Sequence, residues 1–128
     1  MKVTACPFCT LPESRVILAN HQAVAVADGF PISPGHTLII PRRHVKSIFE
    51  LNAEEVNALI MLLAEAKNVL ADEQKPDGFN IGVNDGPAAG QTIPHLHIHL
   101  IPRFIGDRPD PRGGVRWIIP EKADYWSG

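Results

Sequence analysis

At 128 residues, 45% of them hydrophobic, the chain is long enough to bury about two-thirds of the surface its unfolded form would expose. A formal charge of −2 lacks the basic character of a protein that holds a nucleic-acid polymer, so no such partner is expected. No apolar run approaches the about 20 residues of a membrane span, and MKVTACPFC lacks the apolar core of a signal peptide, so a cytoplasmic protein with no membrane partner is expected.

Cys6 and Cys9 form a C-x-x-C in a short, Pro-bearing turn whose one large apolar group is Phe8. In a reducing compartment that pair points to metal or redox chemistry rather than to a structural disulfide. Arg15 to Ala19 and Ala23 to Ala27 read as strands, with Asn20-His21 as the hairpin turn between them. Asp28 to Gly35 is loop by its Gly, Pro, Asp and Ser content. His36 to Ile40 is a third strand, expected to stop at Pro41, and a short helical turn is expected around Val45 to Phe49. From Asn52 to about Gln74 the spacing predicts a helix, capped by Asn52 with Glu55 three residues on. Val56, Leu59, Ile60, Leu63 and Leu70 make its expected core stripe. Phe79 to Asn84 alternates like a strand, and Asp85 to Gln91 is a small-residue loop.

That loop runs into HLHIHL, residues 95 to 100, bracketed by Pro94 and Pro102. In an extended strand His95, His97 and His99 share one face, while Leu96, Ile98 and Leu100 share the other and can be buried. Packing alone does not call for three imidazoles on one face. A single zinc held by all three is disfavoured, since residues i and i+4 of a strand lie roughly 13 Å apart. The three rings are therefore expected to do different jobs. A structural zinc takes four Cys or His ligands, so Cys6 and Cys9 would need two more from His21, His36, His44, His95, His97 or His99. From about residue 103 the chain becomes an irregular, Gly/Pro-rich tail with Arg103, Arg108, Arg112 and Arg116. The elements suggest a single domain over 1–128 of α+β class: an antiparallel sheet of about five strands with one long and one short helix.

HLHIHLI, residues 95 to 101, resembles the motif that names the histidine triad (HIT) superfamily, His-φ-His-φ-His-φ-φ with φ apolar. PGHTLIIPRRH (34–44) and NDGPAAGQT (84–92) resemble the family's other markers, in the same order along the chain. The Gly-Gln-Thr and Pro-Arg that flank the triad resemble the fragile-histidine-triad and dinucleoside polyphosphate hydrolase branches, and the C-x-x-C resembles bacterial members with zinc.

The resemblance implies attack by a histidine on the α-phosphorus of a nucleotide. His97 matches the nucleophile, and His99 and His36 match residues flanking the phosphate. Gln91 and Thr92 match positions at the scissile bridge, with Gln91 aiding the leaving group. Asp28 matches the ribose ligand, Phe8 and Leu11 the apolar wall against the base, and Asn84 a residue near the phosphate. Cys6, Cys9, His44 and His95 match the ligands of one structural zinc, with no catalytic metal or organic cofactor. The implied activity is hydrolysis of a diadenosine polyphosphate through a nucleotidyl-histidine. The alternatives are a purine nucleoside phosphoramidase and a non-catalytic nucleotide-binding module. Members are commonly homodimers, and one is expected here. The tail arginines match no family motif; one or two of them are expected to touch distal phosphates.

Overall fold

The structure, a computed structural model, describes Val3 and residues 5–128. Five strands build one antiparallel sheet: β1 (Val16–Ala19), β2 (Ala23–Ala27), β3 (Thr37–Pro41), β4 (Gly78–Gly82) and β5 (Ile98–Arg103), in the spatial order β1-β2-β3-β5-β4. Two helices accompany it: α1 (Ala53–Gln74) and the four-residue α2 (Pro120–Ala123). The α+β expectation therefore holds. Among the described residues, no helix is long and apolar enough to cross a membrane.

The first hairpin closes through Asn20, whose Oδ1 accepts from the backbone N–H of both Gln22 and Ala23. Such local side-chain bonding is what makes Asn a turn former. The helix starts where its capping signal stands: Asn52 accepts from the Glu55 N–H, and Glu55 accepts from the Asn52 N–H. It lies across one face of the sheet, where Leu59, Leu62, Ala66 and Leu70 pack with Ala23, Ala25, Ile39, Leu96, Ile98 and Leu100. The opposite face carries a smaller apolar patch, Val24, Val26, Leu38 and Ile40, against which Phe8, Leu11 and Val16 pack.

Several expectations change. The buried stripe of α1 runs Glu55, Leu59, Leu62, Ala66, Leu70, so Val56 and Ile60 face outward, 42% and 53% exposed. The helix is rotated because Glu55 turns inward to meet Arg43, which approaches with Nε 2.9 Å from Oε2 and Nη2 2.7 Å from Oε1. The expected turn at Val45–Phe49 is a 3-10 turn at Ile48–Glu50, capped by Ser47. Finally, β5 begins at Ile98 rather than His95, and both Pro41 and Pro102 lie inside strands.

Those prolines are tolerated because of where their nitrogens point. In an antiparallel strand the N and O of one residue face the same side. The Pro102 carbonyl accepts from Ser33 Oγ–H at 2.6 Å, and the Pro41 carbonyl accepts from His95 at 2.8 Å. Each proline thus turns its missing N–H away from the strand it is paired with, Phe79 in β4 for Pro102 and Ala23 in β2 for Pro41.

Gly35 fixes the approach to β3. Its φ is +86°, and a Cβ there would meet Leu70 Cδ2 at 2.9 Å and Gln74 Cγ at 3.0 Å. Only glycine accepts both that backbone and that proximity. The chain can then hold Asp28 and His36 together, with the Asp28 N–H donating to the His36 carbonyl.

Candidate active site and metal centre

A row of rings runs along the face opposite α1. Phe8 meets His95 and His97 edge-on, at centroid distances of 5.9 and 5.1 Å. His97 is 5.2 Å from His99, and His99 is 5.2 Å from His36. The three triad histidines differ in their hydrogen-bond partners.

A carbonyl can only accept, so the nitrogen facing one must carry the proton. His97 Nδ1 faces the His95 carbonyl at 2.9 Å. The neutral ring therefore holds its proton at Nδ1 and has its lone pair at Nε2. That nitrogen has no hydrogen-bond partner among the described residues and is not sealed from solvent. His95 Nε2 faces the Pro41 carbonyl at 2.8 Å, so its lone pair lies at Nδ1.

The third relay starts from a backbone donor. The Ile32 N–H donates to His36 Nδ1 at 3.2 Å, which assigns the proton of neutral His36 to Nε2. That Nε2 lies 2.9 Å from His99 Nδ1 and 3.3 Å from Asp28 Oδ2. The shorter contact is the stronger bond, so His99 accepts at Nδ1 and presents an Nε2–H. With the Nε2–H given to His99, the His36–Asp28 contact is a close approach of a carboxylate to a neutral ring, not an ion pair. Burial pushes both His36 and His99 below the ordinary histidine value, against a smaller opposing pull from Asp28.

A separate cluster lies at the other end of the row. His95 Nδ1 is 3.4 Å from Cys6 Sγ, 3.5 Å from Cys9 Sγ and 3.2 Å from His44 Nδ1, and Cys9 Sγ is 3.2 Å from His44 Nδ1. The edges of a tetrahedron around zinc, with bonds of about 2.0 to 2.3 Å, are roughly 3.3 to 3.8 Å. Two soft thiols and two imidazoles at this spacing fit zinc, and all four ligand atoms lie within 4.8 Å of one another. His95 meets the cluster with its lone pair because the Pro41 carbonyl holds the opposite nitrogen. Cys6, Cys9, His44 and His95 could therefore hold a metal ion. Burial pushes the Cys6 thiol up, which a bound cation would reverse.

The remaining expected residues divide. Asp28 sits at the His36–His99 pair, and Phe8 and Leu11 pack on the apolar patch beside it. Gln91 has its amide engaged: Oε1 accepts from the Gly86 N–H and Nε2 donates to the Lys46 carbonyl, both at 2.9 Å. In this state Gln91 latches its own loop. Asn84 and Thr92 are exposed, and neither is hydrogen-bonded to a histidine.

A cavity of about 1160 Å³ opens beside His36 and His99, floored by β4 and β5 and walled by the tail. Asp28 and Asn84 line it, whereas His97 does not. Three of the tail arginines are engaged. Arg103 forks onto Asp107 and reaches Asn80 Oδ1, Arg112 pairs with Asp110, and Arg116 donates to the carbonyls of Lys122 and Ala123. Arg108 lines the cavity and has no side-chain partner among the described residues. Sequence reading missed three groups: the Pro41 carbonyl, the Ile32 N–H and the tail as a wall. The first two are main-chain atoms and leave no mark in residue type.

Comparison with known proteins agrees with this geometry. The chain is 35% identical over 109 residues to an uncharacterized HIT-like protein of Saccharolobus solfataricus, covering 82% of this chain and 78% of that one. It is 32% identical over 123 residues to the bis(5'-adenosyl)-triphosphatase of Saccharomyces cerevisiae, covering 92% of this chain and 55% of that enzyme. A Zn-bound histidine triad family protein from Mycobacterium smegmatis superposes with a TM-score of 0.73 at 30% identity, over 83% of this chain and 84% of that one. The HIT domain family model matches residues 11–106, and with the triad, its relay and its sheet in place, the chain belongs to the HIT domain family.

Proposed function

We propose that this protein is a nucleotide hydrolase that cleaves diadenosine polyphosphates at the α-phosphorus through a nucleotidyl-His97 intermediate. The observation that carries the reading is the His97 Nδ1–H bond to the His95 carbonyl, because in the neutral ring it leaves the lone pair at Nε2. The Nε2 lone pair forms the N–P bond, and the bridging P–O bond breaks with its electron pair going to the departing phosphate. Water then adds to phosphorus, the P–N bond breaks, and AMP and a proton leave. Two easier displacements replace one difficult one.

The His99 Nε2–H, fixed by the His36 relay, donates to the non-bridging oxygens as charge builds on them. Asp28 accepts from the ribose hydroxyls, and Phe8 and Leu11 flank the base. Gln91 and Thr92 serve the scissile bridge once the Gln91 latch opens, and Asn84 stands by the phosphate. The bis(5'-adenosyl)-triphosphatase relative supports this substrate class.

Cys6, Cys9, His44 and His95 hold one structural zinc in this reading, which ties the turn carrying Phe8 to the segment carrying His97. The zinc fastens the chain and takes no part in the displacement. One HIT-like domain per chain pairs as a homodimer. The bare face of α1 at Val56, Ile60 and Met61 and the open edge at β4 are what it would cover.

Incubation with diadenosine tetraphosphate, with products resolved and His97→Ala as control, tests the reading. AMP and ATP from the wild type alone are expected. Turnover equal to that of His97→Ala would reduce the protein to a nucleotide-binding module. Faster cleavage of adenosine 5'-phosphoramidate than of the dinucleotide would make it a phosphoramidase.

A further inference from the structure

The cavity beyond His99 is larger than one nucleotide's phosphate needs. Pockets for whole drug-sized ligands run about 300–1,000 Å³, and this one holds about 1160 Å³. Asp28, His36, Asn84 and His99, which serve the attacked half, line one side of it, and the rest is built from parts that the α-phosphate chemistry does not use. The loop after β2 contributes Phe30 and Ile32, which are 90% and 76% exposed. The tail contributes Trp117 and Ile118, together with Arg108. Large apolar groups left bare around a cavity mouth mark a surface that a ligand covers.

The tail wall is a made structure rather than loose chain. Arg103 clamps its start between Asn80 and Asp107, and the Ile105 N–H donates to Asp77. Trp117 is held by its Nε1–H donating to the Arg112 carbonyl at 2.7 Å. Arg112 in turn lies over the Trp126 ring at 4.9 Å. The carboxylates of this wall are spoken for. Asp107 and Asp110 are paired with Arg103 and Arg112, and Asp124 accepts from Ser127 Oγ–H and the backbone of Trp126 and Ser127. Among the described residues of the tail wall, Arg108 is left as the free charge.

We infer that the tail and the loop after β2 form a second subsite, which takes the leaving half of the substrate: Arg108 meets its phosphates, and Phe30 and Trp117 meet its base. The inference rests on the hydrolase reading and names what selects the substrate within it. An aromatic base joined to a short polyphosphate is the chemistry that uses both an arginine fork and bare aromatic faces. A small amine leaving group would use neither. The Arg108 and Phe30 side chains are exposed and hydrogen-bond to no described residue, and the Phe30 N–H that donates to Asp28 Oδ1 survives replacement of its ring, so both substitutions spare the fold.

The test compares wild type, Arg108→Ala and Phe30→Ala on diadenosine tetraphosphate and on adenosine 5'-phosphoramidate. Each variant is expected to lose about tenfold or more in kcat/KM on the dinucleotide, the size of one charge-assisted bond for Arg108 and of one base–aromatic stack for Phe30, and to stay within about twofold on the phosphoramidate. Equal losses on both substrates, or none on either, overturn the subsite. If the wild type turns over neither substrate, the hydrolase reading fails separately, and calorimetry decides the subsite. Tighter binding of ATP than AMP, erased by Arg108→Ala, keeps it; equal binding of the two sinks it.

Discussion

His97 donates its Nδ1–H to the main-chain carbonyl of His95, two residues back, at 2.9 Å. A residue that is itself a candidate metal ligand thus aims the candidate nucleophile through its backbone. His97→Ala is expected to lower kcat by about a thousandfold or more, since it removes the atom that accepts phosphorus. His97→Asn should be equally inactive. Its amide can still meet the His95 carbonyl, but it brings no nucleophilic lone pair. Acid-labile, base-stable label from an α-labelled substrate should appear on the wild type alone. Such label on either variant would assign the covalent step to another residue.

If Cys6, Cys9, His44 and His95 hold zinc as proposed, removing it should loosen the protein before it touches chemistry. A ligand held a thousandfold above its dissociation constant adds about 4 kcal/mol to the folded state. For a chain of this size that amounts to about 10 °C or more in melting temperature. A strong chelator, or Cys9→Ser, is therefore expected to lower the melting temperature by that much. Activity should be lost at the rate at which the fold opens, as followed by tryptophan fluorescence. Immediate loss of activity with the melting curve unchanged would mean that the metal acts in catalysis.

Acid should weaken both fold and function through His36 and His99. Their folded values are pushed below the ordinary 6.5, chiefly by burial. Between that value and the lower folded values the unfolded chain binds more protons than the folded one. Stability is then complete above about pH 6.5 and falls as pH drops through the folded values. Protonating His36 would also break its bond from the Ile32 N–H. The acid limb of kcat/KM is expected below pH 6.5, and thermal midpoints should fall over the same range. In His36→Gln that fall should be smaller. An acid limb above pH 6.5 would contradict the relay.

Local chemistry in the sequence was enough for the Asn52–Glu55 capping box and for the alternation of His97 and His99, because both depend on neighbours in the chain. The C-x-x-C and the histidines named the ligand types, yet only the family resemblance chose His44 and His95. Pro41 and Pro102 misled, since a proline's fitness inside a strand depends on which side its partner lies. That side is set by the sheet order β1-β2-β3-β5-β4, which no local pattern encodes. The outward turn of Val56 and Ile60 was hidden for a similar reason. It follows from the distant pairing of Glu55 with Arg43.

That pairing carries the last prediction. Glu55 is 2% exposed, and its carboxylate accepts from both Nε and Nη2 of Arg43 and from the Asn52 N–H that opens α1. Arg43 also donates to the Glu50 carbonyl, and His44 is the next residue along. One carboxylate thus fastens the helix start to the segment bearing His44, a candidate metal ligand. Glu55→Ala is expected to cost about 2 kcal/mol, since it deletes a cap and a charge-assisted fork whose arginine can turn to water. It should also weaken zinc retention against a competing chelator, because His44 loses its anchor. Glu55→Gln, which can still accept from Asn52, should recover part of the stability but little of the zinc retention. Urea denaturation of both variants, paired with zinc competition, measures the two effects separately. Unchanged zinc retention in Glu55→Ala would show that the loop holds His44 in place without the helix.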